Sequence, residues 1–153
     1  MKVIDAQKPK SDSLPSIGGV IVTHGHLASE LIAAAEMIVG RPMPHVTPAS
    51  IDWHDDMDVA RAELERAIAR VSQGRGVLLL TDMFGGAPTD IASMFLDNPG
   101  IEVVTGVNLP MILKLADHSA DDSLAEVSRR VREAGKEGIH VAGELLTPPP
   151  KMP

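Results

Sequence analysis

Two apolar runs constrain this chain more than any other feature. Residues 17–23 read IGGVIVT and residues 76–82 read GVLLLTD. Neither run alternates polar with apolar residues, so each predicts a strand covered on both faces. Between and after them lie segments with helical spacing. In 27–39, Leu27, Leu31, Ala35 and Ile38 predict the buried stripe of a helix that Gly40 and Pro42 stop. Residues 45–53, HVTPASIDW, predict a weaker strand, with Pro48 tolerable only near an edge. A second helix follows to about Gln73, its stripe marked by Val59, Leu64, Ile68 and Val71. Beyond the second run come the loop MFGGAP, a short helix from Pro88, the strand IEVVTG at 101–106, and a loop into a helix, VNLPMILKLADH. Ser123 predicts the cap of a long helix to about residue 136, and GIHVAG at 138–143 predicts a last short strand. Strand and helix in alternation predict an α/β domain, a mostly parallel sheet with helices on both faces.

Composition narrows the function classes. The chain has 153 residues, a length that suits one domain. It has no cysteine, which excludes a disulfide framework, a thiolate metal site and a cysteine nucleophile. With 21 acidic against 14 basic residues, the formal charge of −7 argues against a nucleic-acid partner, which needs a basic footprint. A basic protein partner fits better. No apolar run reaches the roughly 20 residues of a membrane span, and residues 1–16 lack a signal-peptide core. A cytoplasmic protein with no direct membrane insertion is expected. Residues 1–16 are expected to form a flexible arm, 17–142 the domain, and 143–153 a proline-rich tail.

In a parallel sheet, sites form beyond the carboxyl ends of the strands, where strand order reverses. The first run ends in Thr23-His24-Gly25-His26, and the second ends in Thr81-Asp82 followed by Gly85 and Gly86. If the two strands are neighbours, His24 and Asp82 emerge side by side. A carboxylate taking the Nδ1 proton would fix the imidazole tautomer and leave the Nε2 lone pair for nucleophilic attack. Gly85, Gly86 and the start of the helix near Pro88 offer backbone N–H groups to an anion. These residues predict a phosphohistidine site. On residues alone, a metal site and a strand-end cap stand beside it. The glycine loop suits an anion better than a metal, so neither metal nor cofactor is expected.

The segments VTHGHLASELIAAAEMIVG (22–40), LLLTDMFGGAPTDIA (78–92) and VVTGVNLPMILKL (103–115) resemble the IIA component of the mannose-family sugar phosphotransferase system. The resemblance covers about residues 17–140. It implies a doubly wound sheet of four parallel strands plus one antiparallel edge strand, in a homodimer that exchanges its last strand. It also implies a phosphotransferase in which His24 accepts phosphate from the carrier HPr and Asp82 hydrogen-bonds His24. Gly85, Gly86 and Ala87 then hold the phosphate, and Thr23, Phe84, Asn108 and Pro110 form the pocket rim. Two departures stand out: Ala87 where many members carry Ser or Thr, and Phe84 where tryptophan is common. His26 falls at a variable position. Onward transfer to a separate IIB protein in sugar uptake is expected. The alternative is a regulatory phosphoprotein in which the charge on His24 switches a protein interaction.

Overall fold

A computed structural model describes residues 14–52 and 55–146. The expected arm therefore lies outside the described residues up to position 13, and the expected tail lies outside them after 146. The elements are β1 (Gly18–His24), α1 (Leu27–Val39), β2 (Val46–Ile51), α2 (Met57–Val71), β3 (Val77–Thr81), α3 (Ala87–Ser93), β4 (Ile101–Thr105), α4 (Leu109–Ala116), α5 (Leu124–Glu137) and α6 (Ala142–Leu146).

The sheet has the order β2-β1-β3-β4, and each neighbouring pair is parallel. β1 and β3, the two apolar runs, are the central strands. Ile21, Leu78 and Leu80 point into a core with Ile32, Ile112, Leu115 and Val131 of α1, α4 and α5. Val20, Val22 and Leu79 point the other way, into a core with Leu64, Val71 and Ile91 of α2 and α3. This alternation is the strand period of two applied to residues that are apolar on both sides. β2 lies at one edge with Pro48 exposed in it, where a missing N–H costs nothing to the ladder.

The antiparallel edge strand is absent: among the described residues every strand is parallel. GIHVAG at 138–143 forms no strand either. α5 closes at Gly138, whose N–H donates to the Ala134 carbonyl, and α6 begins at Ala142. The N–H groups of Glu144 and Leu145 both close onto the Val141 carbonyl. Local turns thus pair the backbone at each end of the segment, at Gly138 and Ile139 and at the Val141 carbonyl.

Two helical stripes match expectation at Ala35, Leu64 and Val71 and shift by one position elsewhere. α1 buries Ala28, Ile32 and Ala35 while Leu27 and Ile38 stay exposed. α2 buries Ala60, Leu64, Ala67 and Val71 while Val59 stays exposed. In both helices alanines occupy the inner face, and their small side chains let the helix axis approach the sheet.

The chain leaves β1, goes to β2 on one side, and returns to β3 on the other. The reversal opens a crevice between the ends of β1 and β3.

Candidate functional site

His24 is the last residue of β1 and Asp82 follows the last residue of β3, so the ladder brings them together at that crevice. His24 Nδ1 lies 2.6 Å from Asp82 Oδ2, and the backbone N–H of His24 donates to the same oxygen at 3.0 Å. The other carboxylate oxygen, Oδ1, accepts the N–H of Met83 at 2.9 Å. The imidazole is half-buried, with 39% of its side chain accessible, against 12% for the aspartate.

Burial pushes the Asp82 carboxyl up. The His24 backbone N–H, the imidazole and the Met83 N–H outweigh it, and together they hold Asp82 below the ordinary carboxylate range. Asp82 is therefore an anion at neutral pH. A carboxylate can only accept, so Nδ1 carries the hydrogen between the two groups.

The turns around the pair depend on glycine at two places. Gly25 (φ 55°) and Gly85 (φ 85°) adopt left-handed backbone, which reverses the chain sharply beside the site. Gly86 serves a different purpose: a Cβ there would lie 3.0 Å from His24 Cε1 and 3.5 Å from Nε2. Any side chain at 86 would crowd that edge of the ring.

Two hydroxyls shape the turn after β1. Thr23 is buried, and its Oγ1 accepts the N–H of Ala28 at 2.9 Å, which caps the first turn of α1 from inside the strand. Ser50, on β2, donates from its hydroxyl to the Gly25 carbonyl. His26 occupies the N-cap position of α1, is exposed, and makes no side-chain cap bond.

Beside His24 is a cleft of about 410 Å³. Gly86 and Ala87 line it, as expected of the glycine loop, together with Ile91. Asp52, Asp55 and Met57 line it too, and no motif marks them in the sequence. The available signal was positional: the acidic run follows β2, and β2 ends beside β1. Asp56 of that run caps α2, accepting from Asp58 N, and Asp55 Oδ2 accepts from Asp52 N. His54 lies outside the described residues.

Three expected rim residues sit elsewhere. Phe84 is 82% exposed and borders a groove along β4 with Val103, Arg129 and Arg132. Asn108 caps α4, its Oδ1 accepting from Met111 N, and its Nδ2 donates to the Gly135 carbonyl, which ties α4 to α5. Pro110 packs against Gly138, where a Cβ would fall 2.6 Å from the proline ring. The structure thus gathers His24, Gly86 and Ala87 at one cleft, with Asp82 bonded to His24, and it places Asn108 and Pro110 in helix packing.

Known proteins share this arrangement of chain. The family model EIIA-man, described as the fructose IIA component of the phosphotransferase system, matches residues 18–132. The mannose-specific EIIAB component of Escherichia coli (strain K12) is 34% identical over 131 residues, which is 81% of this chain and 39% of that protein. This chain therefore spans about two fifths of that relative's length. The sorbose-specific EIIA component of Lacticaseibacillus casei is 24% identical over 84% of this chain and 92% of its own. Among solved structures, the mannose/sorbose specific IIA subunit from Enterococcus faecalis superposes with a TM-score of 0.74. It is 23% identical, covering 90% of this chain and 99% of that one.

Proposed function

We propose, for a chain that belongs to the EIIA-man family of phosphotransferase-system IIA components, that His24 is the residue that accepts a phosphoryl group. The family's role is phosphoryl transfer in sugar uptake. The observation that carries the assignment is the 2.6 Å contact between His24 Nδ1 and Asp82 Oδ2 at the strand-order reversal. It supports a ring held in the tautomer that attacks through Nε2.

In the proposed step, the Nε2 lone pair forms a bond to the phosphorus of phospho-HPr. The donor's own bond to phosphorus breaks, and its electron pair leaves with the donor. The hydrogen on Nδ1 stays in the bond to Asp82, whose negative charge stabilises the positive charge that develops on the ring. Backbone N–H groups of Gly85, Gly86 and Ala87 are the proposed contacts to phosphate oxygens. With alanine at 87, no side-chain hydroxyl assists there. Asp52 and Asp55 at the cleft suit a donor that arrives with a basic docking face. A separate IIB protein is the proposed acceptor. No helix among the described residues is long and apolar enough to cross a membrane.

Incubation with enzyme I, HPr and phosphoenolpyruvate, read by intact mass, tests the assignment. The wild type and His26→Ala should gain one phosphoryl group, and His24→Ala should gain none. Label retained in His24→Ala would overturn it.

A homodimer completes the reading. Ile139, Val141, Leu145 and Leu146 are all exposed at the end of the described chain, an apolar surface that a second copy can cover. Sedimentation at micromolar concentration should give a dimer; a monomer at that concentration refutes it.

A further inference from the structure

Behind the Asp82 loop lies a pair of buried hydroxyls that the phosphoryl-transfer reading leaves unused. Thr81, the last residue of β3, is 0% exposed, and Thr89, in the first turn of α3, is 5% exposed. Their Oγ1 atoms are 2.7 Å apart, and Thr89 Oγ1 lies 2.6 Å from the Met83 carbonyl oxygen. Each hydroxyl has one hydrogen to give. The carbonyl can only accept, so the Thr89 hydrogen goes to Met83, and Thr81 supplies the hydrogen between the two hydroxyls.

Met83 is the junction between this pair and the site. Its carbonyl is held by Thr89, and its N–H holds Asp82 Oδ1 at 2.9 Å. Asp82 Oδ2 then holds both the backbone and the ring of His24. The bonds therefore run in one series: Thr81 to Thr89, Thr89 to the Met83 carbonyl, Met83 N–H to Asp82, Asp82 to His24. The loop between Asp82 and Gly86 contains a left-handed glycine at 85, and Met83 and Phe84 are both exposed. Packing of its side chains does little to hold it.

We propose that the Thr81–Thr89 hydroxyl pair is a positioning device for His24, fixing the Met83 backbone so that the Asp82 carboxylate stays aimed at the imidazole Nδ1. The inference rests on His24 as the phosphoryl acceptor. Neither threonine touches the reacting atoms; both act through Asp82. Removing the Thr89 hydroxyl takes the bond from the part-buried Met83 carbonyl and leaves the buried Thr81 hydroxyl without its acceptor, and the loop relaxes in response.

The test uses the full chain with Thr89→Val, Thr81→Val and Thr89→Ser, each alone and combined with Asp82→Asn. Two quantities are read: the rate of phosphoryl uptake from phospho-HPr, and the ¹⁵N signals of the His24 ring without any donor. Thr89→Val should slow uptake about tenfold, the scale of one hydrogen bond to a buried group, and Thr81→Val about two- to threefold. Thr89→Ser should restore nearly the wild-type rate. In both valine variants the ring signals should move from the Nδ1–H tautomer toward a mixture. In the Asp82→Asn background the further loss caused by either valine should vanish. Wild-type rates and unmoved ring signals in the valine variants would overturn the proposal. So would a loss of full size in the Asp82→Asn background. If Thr89→Val does not fold, Thr81→Val carries the same two readouts. If the wild type takes no phosphate on His24, the phosphoryl reading falls, and the ring signals still decide the coupling.

Discussion

The two ends of this sheet each hold histidine in contact with the main chain, and they use it in opposite ways. At the carboxyl end, His24 gives Nδ1–H to a carboxylate and lays its Cε1–Nε2 edge over a glycine beside a cleft. At the amino end, roughly 20 Å away along a seven-residue strand, His45 and His118 meet edge to face with ring centroids 5.8 Å apart. There the partners are backbone. His118 Nδ1 donates to the Leu115 carbonyl at 2.8 Å, and its Nε2 accepts the Ile17 N–H at 3.0 Å. His45 Nε2 donates to the same carbonyl at 3.3 Å, and the ring is buried. Both nitrogens of His118 are spent closing the start of β1. One ring is set by an anion beside a cleft, and the other is set by main chain at both of its nitrogens.

Removing the anionic partner should produce the largest effect. Asp82→Asn keeps the shape and the acceptor oxygen but loses the charge, and it admits the wrong ring tautomer. Phosphoryl uptake should fall by about 10- to 1,000-fold, the scale of losing an electrostatic or orienting group. Rapid-quench labelling with phospho-HPr measures it. Unchanged kinetics would mean that the carboxyl end works no differently from the amino end. Since Asp82 is held below the ordinary carboxylate range, its contribution is intact above the unfolded value near 3.9 and is lost only as pH falls through the lower folded value.

The sequence carries unequal information about these two ends. The adjacency of His24 and Asp82 was legible because 17–23 and 76–82 are apolar on both faces, which makes them central strands that each end at a polar residue. The edge position of β2 was legible through Pro48. The buried faces of α1 and α2 were legible only in part, at Ala35, Leu64 and Val71, because each helix offers two stripes one residue apart. Periodicity does not choose between Leu27 and Ala28, or between Val59 and Ala60; side-chain volume against the sheet does. Asp52 and Asp55 reach the cleft through strand order, which no local pattern encodes. Thr89 gives no signal in PTDIAS, since its function depends on a carbonyl six residues earlier. The expected strand at 138–143 pairs with no strand among the described residues, and its last two positions, Ala142 and Gly143, begin α6 instead.

The smallest expected effect belongs to the amino end and appears in stability rather than transfer. Burial lowers the His45 pKa from its ordinary 6.5. The bond to the Leu115 carbonyl opposes that shift, and His118 and the Arg41 guanidinium add to it. The folded protein therefore holds His45 neutral where the unfolded chain would already bind a proton. Across the interval from 6.5 down to the lower folded value, the unfolded state binds more protons, so stability rises with pH and falls on acidification. Denaturant midpoints at several pH values between 5 and 7 should show that slope in the wild type. His45→Gln keeps a side-chain N–H for the Leu115 carbonyl without a titratable ring, and it should flatten the slope while leaving phosphoryl uptake on His24 unchanged. An undiminished slope in His45→Gln would place the acid sensitivity elsewhere. A slowed uptake would mean that the amino end reaches the site, and that the division between the two ends is not as clean as their bonding makes it.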